Sequence, residues 1–280
     1  MNKFVLKATV AVIRASLNAL SFFSKEKAGD IGATIFSKPR KGKITEENKK
    51  YLDIAEKETL YYEKIPIQTY LWRGDINKKV LLVHGWESNS ARWKPLITKL
   101  QKENFTIIAL DAPAHGDSGN KYFNQFQFAG MINVLIEKHL PQNIVGHSAG
   151  GFAVSYAYFK YKPLSVKKIV LLAPVSDNRI IFDMFFSYLN THKRVREGFY
   201  AVFRKKYGDP DKLTVAEFSK NFDIKALIIH DKNDEVVPYP ESEKIHTSWK
   251  NSELILTENI GHSLRHEQIY KKIITFLISD

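Results

Sequence analysis

The chain has 280 residues, 44% of them hydrophobic and 26% charged, with 14 Gly and 10 Pro. These ordinary globular values exclude a disordered chain, a collagen-like repeat and a polytopic membrane protein. The lack of cysteine excludes disulfides, thiolate nucleophiles and Cys-ligated metals, while the net charge of +12 raises nucleic acid or an anionic membrane as partners.

The charge is unevenly spread. Residues 1–80 carry 16 Lys/Arg against 9 Asp/Glu, and residues 177–222 carry 9 against 6. No zinc-finger spacing or aromatic RNA-binding signature accompanies it, so nucleic acid is not expected as a partner. The first segment, Phe4 to Phe23, is rich in Val, Ala, Leu and Phe but interrupted by Lys7 and Arg14. It fits neither a span of ~20 apolar residues nor the core of a signal peptide. On a helix, Lys3, Lys7, Arg14, Asn18, Ser21 and Lys25 fall on one narrow stripe with apolar residues around the remainder. Two placements are open for residues 1–25: packing on the body of the protein or self-association, and a peripheral membrane contact. The expected location is cytoplasmic, peripheral on a membrane if the second holds.

Residues 25–50 are basic and broken by Gly29, Gly32, Pro39 and Gly42, which predicts a linker with short helical pieces. The expected division is an N-terminal extension over 1–58 and one larger domain over 59–280. Leu60–Glu63 and Ile67–Trp72 are predicted strands joined at Ile65–Pro66. Val80–Val83, Thr106–Leu110, Asn143–Val145, Lys168–Leu172, Ala226–Ile229 and Glu253–Leu256 are apolar runs with little alternation, as in strands buried on both faces. Helical patterns lie between and after them, over Ala91–Lys102, Phe126–His139, Ala149–Phe159, Glu241–Trp249 and Leu264–Ile278. Such alternation implies a mostly parallel sheet covered on both sides. About fifty residues separate the strands ending at Leu172 and starting at Ala226, long for such a connection. Aromatic and basic residues interleave there, from Phe182 to Phe222, at helical spacing. A helical cap at about 176–222 is expected, its aromatics either covering a pocket or forming the insertion's own core.

In open parallel sheets, ligands bind at the carboxyl ends of the strands. There the chain places His84-Gly85-Trp86, Asp111 to Gly119, Gly146-His147-Ser148-Ala149-Gly150, His230 to Pro238, and Gly261-His262. Glycines two before and two after Ser148 let a buried strand turn sharply into a helix, exposing the hydroxyl and aiming the Ala149 N–H at charge forming beside it. A serine needs a base, and the base an orienting acid. Ser148, Asp234 and His262, in that order, each lie just past a predicted strand. His266 rivals His262; Asp231, Glu235 and Asp177 rival Asp234. His84, His115, His147 and His230 read as hydrogen-bonded strand-end residues. His262-x-x-x-His266 has zinc spacing but lacks the H-E-x-x-H glutamate, and no metal is expected.

With these motifs in this order, residues 60–278 resemble the α/β-hydrolase superfamily. The resemblance implies a mostly parallel eight-stranded sheet with helices on both faces and a short helical cap. It implies a catalytic triad of Ser148, Asp234 and His262, Asp234 opening a D-x-x-V-P turn that ends at Pro238. It also implies an oxyanion hole from the Trp86 and Ala149 N–H groups, and no cofactor. Asp111 to Ser118 resembles the family's D-x-P-G-H-G-x-S loop, with Ala114 in place of glycine, which puts that loop's backbone in question. The expected activity is hydrolysis of a carboxylic ester with an apolar acyl or aryl group through an acyl-serine, the partner being a small-molecule ester. The alternatives are a lysophospholipase or thioesterase acting on membrane-derived acyl substrates, and a non-catalytic binding protein of the same fold.

Overall fold

The computed structural model describes residues 3–279, with side chains from Val5 onward; the Lys3 member of the polar stripe and the Phe4 side chain lie outside the described ones. Eight strands form one sheet: β1 (Glu56–Tyr62), β2 (Ile65–Trp72), β3 (Asp75–Val83), β4 (Phe105–Leu110), β5 (Asn143–His147), β6 (Lys168–Leu172), β7 (Lys225–Asp231) and β8 (Ser252–Thr257). Their order is β1-β2-β4-β3-β5-β6-β7-β8. β2 pairs antiparallel with β1 and β4, and every other pairing is parallel. The helices are α1 (Lys3–Phe23), α2 (Lys25–Ser37), α3 (Glu46–Leu52), α4 (Lys94–Lys102), α5 (Gln125–His139), α6 (Ala149–Tyr161), α7 (Asn178–Leu189), α8 (Lys193–Tyr207), α9 (Val215–Ser219), α10 (Pro240–Ser248) and α11 (Glu267–Ile278).

The central strands lack alternation because both faces are covered. Leu82, Ala109, Val145, Val170, Leu227 and Ile229 form one core with Leu96, Ile97 and Leu100 of α4 and Ile269, Ile273 and Leu277 of α11. Successive strand residues point to opposite faces, so the buried Leu81, Ile108, Ile144, Ile169 and Ile228 face the other layer, to which α6 and α10 belong. Several expected boundaries move, two of them at turns. The first hairpin turns at Glu63–Lys64, with Glu63 at φ +55°, and Ile65 and Pro66 lie within β2, opposite Tyr62 and Tyr61. The last helix starts at Glu267, not at Leu264, which adopts φ +48° and so leaves His266 to cap it.

The chain divides into two compact units: Met1–Lys38 with Asp177–Thr214, and Pro39–Ser176 with Val215–Asp280. This grouping differs from the expected division at residue 58. In the first unit α1 and α2 pack with α7 and α8. Residues 25–37 are a helix rather than a linker: the Ser24 hydroxyl caps it by accepting from Lys27 N–H, and its glycines are packing sites. A Cβ on Gly29 would lie 2.1 Å from Phe199 N, and one on Gly198 would lie 1.7 Å from Lys25 O, so α2 and α8 cross backbone against backbone. Glycine here is a contact requirement. Phe182, Phe186, Phe199 and Phe203 are buried and packed on one another, with Phe36 of α2 against Phe182. The insertion's aromatics are therefore largely this unit's own core. Phe218 and Phe222, placed in the cap from sequence, belong to the sheet-bearing unit and pack on Phe152 and Trp249.

Candidate active site

All the residues singled out from sequence as the triad and oxyanion donors lie in the sheet-bearing unit. Ser148 sits between β5 and α6 with φ +54° and ψ −122°, a conformation that costs an L-residue energy and is held by its surroundings. Gly150 has no room for a side chain, since a Cβ would lie 2.3 Å from His84 O. At Gly146 a Cβ would meet Gly151 Cα at 3.0 Å. The Ser148 N–H donates to Leu172 O at 2.9 Å, tying the turn to the end of β6.

The three side chains meet although they are far apart in sequence. His262 Nε2 is 3.1 Å from Ser148 Oγ, and His262 Nδ1 is 2.7 Å from Asp234 Oδ2. The Asp234 side chain is fully buried and that of His262 is 20% exposed, so a solute can reach the imidazole but not the carboxylate. Burial opposes ionisation of Asp234, but hydrogen bonds from His230, His262 and the Val237 N–H outweigh it and hold the carboxyl well below the usual carboxylate range. Oδ1 accepts from the Val236 and Val237 N–H groups at 2.8 and 2.9 Å, which explains the turn after Asp234.

The rivals are occupied elsewhere. His266 Nδ1 accepts from Gln268 N–H, capping α11. Asp231 accepts from Thr257 Oγ1 and the Ile260 N–H, fastening the loop before His262. Asp177 caps α7 and pairs with Arg179. Glu235 is exposed.

Gly85 lies against the serine: a Cβ there would be 3.0 Å from Ser148 Cβ. Trp86 follows it directly, its ring 5.3 Å from that of His115 and 5.2 Å from that of Phe123. Ala149 opens α6, and the first N–H groups of a helix have no carbonyl partner within it and carry the positive end of its dipole. The loop bearing Trp86 is held by two neutral histidines. His84 Nδ1–H donates to Gly85 O and its Nε2 accepts from Ala112 N–H; His115 Nδ1–H donates to Pro113 O and its Nε2 accepts from Glu87 N–H. Burial pushes both down to about 4.

The Asp111 loop keeps a positive φ at Ala114, +66°, so alanine takes the left-handed conformation glycine would have taken, and its N–H donates to Gly119 O at 2.8 Å. Gly116 admits nothing larger, as a Cβ would lie 2.0 Å from Asp111 Oδ2. That carboxylate accepts from Ser90, Tyr70 and the Asp117 N–H.

Three further residues act on the relay, and their sequence positions carry no sign of these contacts. His230 Nε2 lies 3.1 Å from Asp234 Oδ2, giving that carboxylate a second imidazole, while its Nδ1 meets Ser242 Oγ at 2.6 Å. His147 Nε2–H donates to His262 O at 2.9 Å, with the two rings 4.9 Å apart. Burial, with the Arg92 charge second, keeps His147 neutral by lowering its pKa well below the usual value. Arg92 Nη2–H donates to Ser263 O at 3.1 Å, its guanidinium 4.4 Å from the Trp93 ring. Chemically, the site offers a hydroxyl beside an imidazole whose other nitrogen is held by a buried carboxylate.

A family model of the alpha/beta hydrolase fold matches residues 78–214. Among solved structures, the chain is similar to alpha/beta hydrolase domain-containing protein 10 from mouse, at 14% identity and TM-score 0.65 over 80% of this chain and 97% of that one. It is similar to an esterase from Exiguobacterium antarcticum at 17% identity and TM-score 0.61 over 77% and 96%. With the sheet order, these matches establish the α/β-hydrolase fold for this chain. Its sequence relatives are distant and esterase-like. A bifunctional esterase/perhydrolase of Acinetobacter calcoaceticus is 23% identical over 70% of this chain and 90% of its own length. A pimeloyl-acyl-carrier-protein methyl ester esterase of Neisseria meningitidis is 30% identical over 35% and 37%. The chain spans only 38–46% of the length of three others, two from Mycoplasma and one from Arabidopsis thaliana.

Proposed function

We propose that the protein is a serine hydrolase that cleaves a carboxylic ester through an acyl-serine intermediate. The observation that carries this reading is the hydrogen-bonded series Ser148–His262–Asp234, mounted on the strained turn between β5 and α6. Ser148 Oγ attacks the ester carbonyl carbon while its proton passes to His262 Nε2. The imidazolium, steadied by Asp234, returns that proton to the departing alkoxide as the carbon–oxygen bond breaks. Water, deprotonated by His262, then attacks the acyl-serine, releasing the carboxylic acid and restoring the hydroxyl. In both steps the oxyanion lies against the Trp86 and Ala149 N–H groups, each worth about 3 kcal/mol by comparison with other oxyanion donors. Relatives named as esterases favour an ester over an amide. The Trp86 and Phe123 rings beside the proposed donor favour an apolar acyl or aryl group.

The test is labelling of the full chain by a fluorophosphonate, alongside hydrolysis of p-nitrophenyl esters of graded chain length. Wild-type protein should label and turn over. Ser148→Ala should do neither while keeping its melting temperature. Turnover by Ser148→Ala above a thousandth of wild type would overturn the proposal.

A further inference from the structure

Helix α1 carries two apolar seams, and only one is used for packing. On the inner side Leu17 and Ser21 are buried and Leu6, Val10, Ile13 and Leu20 are half-buried. Hydrogen bonds fix that side to α8 and the residue before it: Asn18 Oδ1 accepts from His192 N–H at 2.7 Å, and Arg194 Nε–H donates to Ser21 O at 2.9 Å. Part of the polar stripe read from sequence is thus turned inward, contrary to a solvent-facing stripe.

The opposite side is apolar and open. Val5, Ala8, Val12, Ala15, Ala19 and Phe22 repeat at intervals of three and four, and all are exposed together with Phe23. Phe22 is 65% exposed and Phe23 90%. Helical spacing puts no charged residue on this face among the described residues; Thr9 and Ser16 are its polar members. A surface helix of a soluble protein ordinarily spends its apolar stripe on the core and presents polar residues to water. This helix satisfies its core with one seam and leaves a second, about 27 Å long at 1.5 Å per residue, in contact with solvent.

The electrostatic setting indicates what covers that face. The helical unit holds fourteen Lys/Arg against seven Asp/Glu, so +7 of the chain's +12 falls within its 76 residues. Positive groups outnumber acidic ones at the aromatic end of the seam, where Glu26 is also exposed. The Arg194 guanidinium is 5.8 Å from the Phe22 ring, and Lys25, Lys27 and Lys193 are exposed beside it in the chain or across the α1–α8 contact. A second copy would bring like charge against like charge on a shallow alanine-rich seam. An anionic lipid surface offers opposite charge to the rim and hydrocarbon to the aromatics. Contrary to the expectation from sequence, Val5–Phe23 is by length and composition apolar enough to cross a membrane, but the inner-side hydrogen bonds keep it laid along its own unit.

We propose that the outer face of α1 lies in the headgroup–acyl boundary of an anionic bilayer and anchors the protein to the membrane surface, independently of the chemistry at Ser148. The test is flotation of the full chain with phosphatidylcholine vesicles, with and without 30% phosphatidylglycerol, at low and high salt. Wild type should float with the anionic vesicles, at least tenfold more weakly with the neutral ones, and less as salt rises. Val12→Asp/Phe23→Asp, and separately Phe22→Ser/Phe23→Ser, should lose at least tenfold in binding while keeping wild-type helicity and fluorophosphonate labelling. Three results would overturn the proposal. One is no flotation with anionic vesicles. Another is binding indifferent to lipid charge and resistant to alkaline carbonate, which marks a membrane span. The third is a dimer in sedimentation that the same substitutions dissolve without vesicle binding.

Discussion

The two units of this chain solve the burial problem in opposite ways. In the sheet-bearing unit, strands with little alternation are covered by helices on both faces, and Leu81, Leu82, Ile107 and Val170 are wholly inaccessible. Many of its polar groups are equally well placed: Asp111, Asp231 and Asp234 each accept several hydrogen bonds, and His84 and His115 are matched to backbone groups at both ring nitrogens. The helical unit is assembled from two segments some 140 residues apart in sequence, crosses its helices on a pair of glycines, and leaves Phe22 and Phe23 in solvent. A rigid unit with a strained turn suits chemistry, where small displacements of a reacting group are costly. A basic helical unit with an open apolar face suits attachment.

The sharpest test of this contrast is at the buried carboxylate. Asp234→Asn should reduce turnover by about 10⁴-fold, because an amide cannot hold the His262 tautomer or stabilise its charged form. Steady-state kinetics checks this, and an unchanged melting temperature would locate the effect in the relay. The next effect is acid sensitivity of the same unit. His84 and His115 are held near 4 when folded, against a normal value of 6.5. The unfolded chain therefore binds more protons between those values, so the stability these groups contribute is intact above pH 6.5 and is lost as pH falls toward 4. The combined loss should reach several kcal/mol. Melting temperatures from pH 7.5 to 4 should fall steeply, and His115→Gln should flatten the slope.

Gly198→Ala probes the other unit. Its methyl would collide with the Lys25 carbonyl, and forcing α2 and α8 apart should cost about 1–3 kcal/mol. Hydrogen exchange should then quicken in residues 25–37 and 193–207 while β3 to β7 stay protected. Equal loss of protection in both units would break the comparison. The smallest effect is Ala114→Gly. It relieves a left-handed alanine at φ +66° but adds freedom to the unfolded chain, so a net gain of about 0.5 kcal/mol is expected, read as a rise of about 1–2 °C in melting temperature.

The amino-acid sequence by itself determined whatever depends on neighbours along the chain. Runs such as Val80–Val83 and Lys168–Leu172 declare buried strands because burial on both faces demands continuous apolar residues. The glycines around Ser148 declare a sharp turn because a Cβ would meet backbone at both, the end of β3 and its exit at Gly150 and the first turn of α6 at Gly146. The separation of Asp234 and His262 could be read as well, since each lies at a strand end that the parallel order brings to one rim. Tertiary structure decided the rest. That Arg92 holds the carbonyl after His262 and that Gly29 meets Gly198 are contacts between residues distant in sequence, with no local period to announce them. His230 lies only four residues before Asp234, but that it shares this carboxylate with His262 depends on how the turn between them folds back. The same holds for α1. Composition marks it as apolar, but only its neighbours decide which of two apolar seams is covered, because a helix carries its periodicity without saying which side the core will occupy.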